Sequence, residues 1–139
     1  MRYTTTLPQK KIVWVNGVFD VLHIGHIKLF EFAKSLGDYL IVGIDSDERI
    51  KELKGPTRPI NNQEARRDFL LAIKYINEIR IFNSTEELTL MIKEINPDIA
   101  VWGHEYKDKL KIGVEFVKEI VYFKKIEGYS STLIIQKAF

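Results

Sequence analysis

Two of the three histidines in the chain, His23 and His26, fall in the stretch NGVFDVLHIGH from Asn16 to His26. A hydrophobic run, Ile12 to Val15, leads into Gly17, and the histidines then straddle Gly25 at the expected mouth of a helix. That arrangement suits holding a nucleoside triphosphate while its α-phosphate is attacked. The N-terminus of a helix attracts anions through its open N–H groups and its dipole. Imidazoles titrate near neutrality and add donors that can carry positive charge. Gly17 lets backbone approach phosphate oxygens, and Gly25 removes a side chain from between the rings. One histidine near a helix start is most simply a cap; two at this spacing after a strand and glycine turn point to catalysis by His23 and His26. Asp20 reads as structural, accepting backbone N–H bonds that hold the phosphate loop in shape.

A second stretch with the same logic is KKIEGYSST, ending at Thr132. Glycine and hydroxyl residues again precede a helix pattern, and one of Ser130, Ser131 and Thr132 is its cap. Three hydroxyls after Gly128 exceed what capping needs, and a contact to the β- or γ-phosphate is the sharper reading. Between them lies Lys54 to Ile60, KGPTRPI, a loop by its two prolines and glycine. Arg58 in this loop has two readings, a solvated loop arginine or a bidentate phosphate clamp. Arg66 either pairs with Glu64 or Asp68 and faces water or points into the site, and Lys54 is equally open.

Positioning these loops requires alternating strands and helices. Short apolar runs at Lys11 to Val15, Tyr39 to Ile44, Glu78 to Phe82, Ile99 to Trp102 and Ile120 to Phe123 read as buried strands. Helical patterns occupy Ile24 to Ser35, Glu48 to Leu53 behind an Asp45-Ser46-Asp47 cap, Asn61 to Tyr75 and Thr85 to Ile95. Phe69, Leu70 and Ile73 are expected to face inward, and further helices are expected near Val114 to Glu119 and from Ser130. The alternation predicts a three-layer α/β fold around a five-stranded parallel sheet. Ligands of such sheets sit beyond the C-terminal strand ends at the topological switch point. Three suspect segments, NGVFDVLHIGH, WGHEY at Trp102 to Tyr106 and KKIEGYSST, follow such ends. Trp14 and Trp102 read as strand-end packing.

The 139 residues predict one domain, 1–139. Hydrophobic content of 45% with 29% charged residues is ordinary for a globular chain, and a net charge of +2 gives no support to nucleic-acid binding. The absence of cysteine excludes disulfides and thiolate chemistry. A polar N-terminus without the apolar core of a signal peptide, and no apolar run of membrane-spanning length, predict a cytoplasmic protein without a membrane partner. A two-fold homodimer is the default expectation for a small enzyme.

GVFDVLHIGH with EGYSST resembles the cytidylyltransferase-like nucleotidyltransferases, over nearly the whole chain. The resemblance implies a Rossmann-like fold and transfer of a nucleoside monophosphate to a phosphorylated small molecule with release of pyrophosphate. KGPTRPIN and EGYSST are most similar to the adenylyltransferase domain that makes ADP-heptose from heptose 1-phosphate. HIGHIKLFEFAKSLGDYLIVGI is also similar to glycerol-3-phosphate cytidylyltransferase. Carried onto this chain, the resemblance implies that His23 and His26 contact the triphosphate, with Gly17 and Phe19 offering backbone and Lys28 reaching the acceptor phosphate. It places Ser131 and Thr132 on the β- and γ-phosphates, and Gly25, Gly103, Glu127, Gly128 and Ser130 at nucleotide-binding positions. Lys54, Arg58 and Arg66 become acceptor-binding candidates. Mg²⁺ is expected to arrive on the triphosphate, with no protein metal ligand named. Lys125-Ile126 stand where the cytidylyltransferases have arginine-threonine, which favours ATP over CTP. His104-Glu105 stand where the heptose enzymes have glycine and aspartate. A non-catalytic ATP-binding regulatory module and a fragment of a class I aminoacyl-tRNA synthetase are the alternatives. The second lacks a Lys-Met-Ser-Lys-Ser-like loop.

Overall fold

A computed structural model of the chain describes residues 10–124. Five strands form one fully parallel sheet: β1 (Ile12–Gly17), β2 (Tyr39–Asp45), β3 (Glu78–Phe82), β4 (Ile99–Gly103) and β5 (Glu119–Phe123), in the order β3-β2-β1-β4-β5. Four α-helices connect them: α1 (Ile24–Ser35), α2 (Asp47–Lys54), α3 (Gln63–Leu71) and α4 (Thr85–Ile95).

Side chains alternate across a strand, so a strand buried on both faces must feed two cores. β1 and β2 do this residue by residue. Val13, Val15, Leu40, Val42 and Ile44 pack with Phe30 of α1 and Leu70 of α3. Trp14 and Ile41 point the other way and pack with Phe82 and with Leu88 and Ile92 of α4. These two cores make the three layers. Local chemistry sets the helix starts: the side chains of Ser46, Asn62 and Ser84 accept N–H bonds from Arg49, Ala65 and Glu87 in the first turns of α2, α3 and α4.

Two expected helices differ. α3 ends at Leu71 instead of reaching Tyr75, and the chain then turns, with Ile76 N–H donating to the Ile73 carbonyl. Phe69 is exposed while Leu70 is fully buried. Arg66 and Leu70, four apart, form the inward line of α3 and displace Phe69 from it. Near Val114 there is only a 3-10 turn, Val114–Phe116. Val117 is already extended, and β5 begins at Glu119. The helix expected from Ser130 lies outside the described residues. No helix among the described residues is long and apolar enough to cross a membrane.

The order places β2 on one side of β1 and β4 on the other, so the chain reverses its direction of travel at β1. The crevice outside the C-terminal ends of β1 and β4 is the ligand position of such sheets.

Candidate active site at the N-terminus of α1

β1 leaves the sheet at Gly17, and two residues later Phe19 takes a left-handed backbone, φ 48°. This conformation tucks the Phe19 ring back under Gly17, where a Cβ would lie 2.9 Å from the ring. The ring is buried, meeting Phe30 edge-on at 5.1 Å and His26 edge-on at 5.4 Å. Glycine at 17 is therefore required by the aromatic floor beneath it.

His23 is the N-cap of α1, in extended backbone. Its Nδ1 accepts the Gly25 N–H at 3.0 Å, and Nδ1 of His26 accepts the His23 N–H at 3.1 Å. The two residues thus cap the helix reciprocally, as serine and glutamate do in an ordinary capping box. The rings stack, with centroids 3.9 Å apart and planes inclined by 29°. Because each Nδ1 is an acceptor, the proton of each neutral imidazole is on Nε2. Both rings are therefore oriented, with a defined tautomer, at the positive end of the helix dipole.

Asp20 ties this loop to the one between α2 and α3. The residue is 1% exposed; Oδ2 accepts the Ile60 N–H at 2.7 Å and Oδ1 the Asn61 N–H at 2.8 Å. Asn61 answers by donating Nδ2 to the Asp20 carbonyl at 2.7 Å. Arg66 completes the cross-link and corrects both readings of it: it neither faces water nor points its donors at a substrate. It is completely buried; Nε donates to the Asn61 carbonyl, Nη1 to the Val18 and Asp45 carbonyls, and Nη2 to Asp47 Oδ1. Arg66 thereby positions the backbone at the ends of β1 and β2. Asp47, read from the sequence as part of a helix cap, and Asn61, read as a helix start, are acceptors in this network, a role that only the tertiary fold gives them by bringing both to one arginine. Arg49 donates Nε to Asp45 Oδ1 at 2.8 Å beside them.

Arg58 lies in the same loop with Nε 3.6 Å from Asp20 Oδ2. Lys28 sits one turn into α1 with a half-exposed side chain, 3.6 Å from Glu31. Lys54 is the exposed last residue of α2. Gly103 ends β4, and the Glu105 carboxylate folds back over it, while Trp102 meets Tyr106 edge-on at 5.4 Å. Gly17, Phe19, Asp20, His23, Gly25 and His26 thus line one junction, from the end of β1 to the first turn of α1, and Asp20 joins it to Arg58. Glu127, Gly128, Ser130, Ser131 and Thr132 lie outside the described residues. One carboxyl shifted by its surroundings is at the opposite end of the sheet. There Asp98 is held below the usual carboxylate range by the Ile12 N–H and by Lys118.

Residues 14–137 match the profile of the cytidylyltransferase-like family. The chain belongs to that family. Membership places it among nucleotidyltransferases. Over 128 residues, 92% of its length, the chain is 44% identical to the "Bifunctional protein HldE" of Campylobacter fetus subsp. fetus and to the protein of that name from Sulfurimonas denitrificans. It spans 28% and 27% of those two proteins. Among solved structures it is similar to the lipopolysaccharide core biosynthesis protein of Thermoplasma volcanium. That match has a TM-score of 0.71 and 26% identity, covering 86% of this chain and all of the other. Pantothenate synthetase of Thermus thermophilus shares the fold, with a TM-score of 0.59 at 16% identity over 87% of this chain and 58% of that one.

Proposed function

We propose that this chain transfers a nucleoside monophosphate from a nucleoside triphosphate, ATP ahead of CTP, to a sugar phosphate such as heptose 1-phosphate, releasing pyrophosphate. The observation that carries this reading is the reciprocal capping of His23 and His26, which fixes two stacked imidazoles at a helix N-terminus. A surface cap needs one acceptor; a pair oriented in this way suits an anion whose charge changes during reaction. The lipopolysaccharide core biosynthesis protein, by its name, favours a sugar-linked acceptor.

In the reaction, an oxygen of the acceptor phosphate attacks the α-phosphorus. The bond from that phosphorus to the bridging oxygen breaks, and its electron pair leaves with pyrophosphate. The nucleophile is already anionic at pH 7, so neither a covalent intermediate nor a general base is needed. Alignment of two reactants lowers a barrier by about 7–11 kcal/mol. Donors aimed at oxygens that gain charge contribute roughly 2.7–4 kcal/mol each. The two histidines are the donors assigned to that task, and Gly17 with Phe19 supplies the backbone wall against which the triphosphate lies. Mg²⁺ arriving on the triphosphate would supply neutralisation of phosphate charge, held mainly by phosphate oxygens.

The test is a pyrophosphate-release screen of ATP, CTP, GTP and UTP against phosphorylated sugars, polyols and cofactor precursors. Release that needs both ATP and a sugar phosphate is the expected result. CTP with glycerol 3-phosphate as the best pair would reassign the substrates. ATP binding without release across the panel would overturn transfer in favour of a regulatory module.

A further inference from the structure

A buried guanidinium normally finds acceptors for its N–H groups, because an unmade hydrogen bond away from water is costly. Arg66 obeys this rule, and Arg58 does not. The Arg58 side chain is 14% exposed, and its Nε is fully buried with no hydrogen-bond partner. The nearest carboxylate oxygen, Asp20 Oδ2, is 3.6 Å away, beyond hydrogen-bond length, and it already accepts the Ile60 N–H. Asp20 therefore balances the charge of Arg58 without accepting a hydrogen bond from its Nε. The backbone that carries Arg58 is anchored just downstream by the Asp20 bonds to Ile60 and Asn61. The result is a charged fork held in place with its Nε–H short of an acceptor.

Its position says which partner. The loop joins α2 to α3, elements that follow β2, so it lies on the β2 side of β1. The crevice for the nucleotide lies on the β4 side of β1, and the loop bearing His23 and His26 leaves from β1 itself. A triphosphate reaching the histidines from that crevice leaves the Arg58 side to the second reactant. Planar guanidinium matches the oxygens of a phosphate group in a bidentate manner.

We propose, resting on the transfer reaction above, that Arg58 binds the phosphate group of the acceptor and restricts acceptors to phosphate monoesters. Asp20 is its positioning residue, holding both the loop and the guanidinium. Sugars and polyols without a phosphate are then refused for lack of an anion to complete the fork.

The probe is inorganic phosphate, titrated calorimetrically into the full chain with the triphosphate site filled by α,β-methylene-ATP or its CTP counterpart, whichever binds tighter. Wild type is expected to bind phosphate. Arg58→Gln should weaken it at least tenfold and Arg58→Lys at least threefold, with affinity for the methylene nucleotide unchanged within twofold. Should Arg58→Gln fail to fold, Arg58→Lys carries the test, since it keeps the charge against Asp20 and loses the fork. Unchanged phosphate affinity in the folded variants, or no phosphate binding by wild type, overturns the assignment. Equal loss of methylene-nucleotide affinity also overturns it and gives Arg58 to the triphosphate. The two readings fail separately. Selective loss of phosphate binding in a chain that never releases pyrophosphate rejects transfer alone, and histidine-dependent release with normal phosphate binding by Arg58→Gln rejects the Arg58 assignment alone.

Discussion

Replacing Asp20 with asparagine tests whether the loop that carries the histidines is held from below. The residue is 1% exposed and its carboxylate accepts two backbone N–H bonds, from Ile60 at 2.7 Å and Asn61 at 2.8 Å. An asparagine has one carbonyl oxygen, so it keeps one of these bonds and turns its amide N–H₂ toward the other donor. One backbone N–H and part of the new amide are then buried without partners, at about 1–3 kcal/mol per group. The charge facing Arg58 is lost as well. Breaking a buried pair costs about 3–5 kcal/mol, and the 3.6 Å separation and partial exposure of Arg58 hold its share below that range. A total of about 3–4 kcal/mol is expected. With roughly 2.1 cal/mol/K of unfolding entropy per residue, about 290 cal/mol/K for this chain, the melting midpoint falls by roughly 10–14 °C. Calorimetric melting at pH 7 measures it. Adding Arg58→Met to Asp20→Asn should recover about 1 kcal/mol, because the orphaned guanidinium is removed. An Asp20→Asn protein melting within about 2 °C of wild type would refute the reasoning.

Arg66→Gln leaves the Val18, Asp45 and Asn61 carbonyls and Asp47 short of donors, and about 3–5 kcal/mol of stability should disappear in a urea titration. Gly17→Ala puts a Cβ 2.9 Å from the Phe19 ring; about 1–3 kcal/mol of destabilisation is expected, with the His26 ring signals displaced in NMR spectra because Phe19 packs against it. Asp98 has a folded pKa below its unfolded value, so its stabilisation is present above about pH 4 and lost as pH falls through the lower folded value. Melting midpoints of Asp98→Asn should therefore decline less steeply between about pH 4 and pH 2 than those of wild type.

The fold was legible because the strands are short, apolar and separated by good caps. The residues of Glu78–Phe82, Ile24–Ser35 and Thr85–Ile95 read directly as the elements they form. Where the reading strayed, tertiary contacts overrode local pattern. α3 spends an inward position on Arg66, which periodicity treats as a surface residue, and Gly113 in a left-handed turn leads into a 3-10 turn where a helix was expected. At the site, the histidine spacing and the glycine turn were visible in the chain. The reciprocal Nδ1 bonds, the Phe19 floor and the coupling of Asp20 to Ile60 and Asn61, 40 and 41 residues away, were not. Hydrogen bonds across such separations leave no periodic trace in a single sequence.

The central claim is that His23 and His26 act on the triphosphate beyond capping α1. Asparagine at 23 and glutamine at 26 separate the two roles, since they suit the N-cap and third-residue positions of a capping box but lack an imidazole Nε2. The decisive measurement is kcat for pyrophosphate release by His23→Asn and His26→Gln, each with its melting midpoint. The account predicts folded proteins within a few degrees of wild type and a fall of about a hundredfold or more in each kcat. Either folded variant turning over within about threefold of wild type would contradict it.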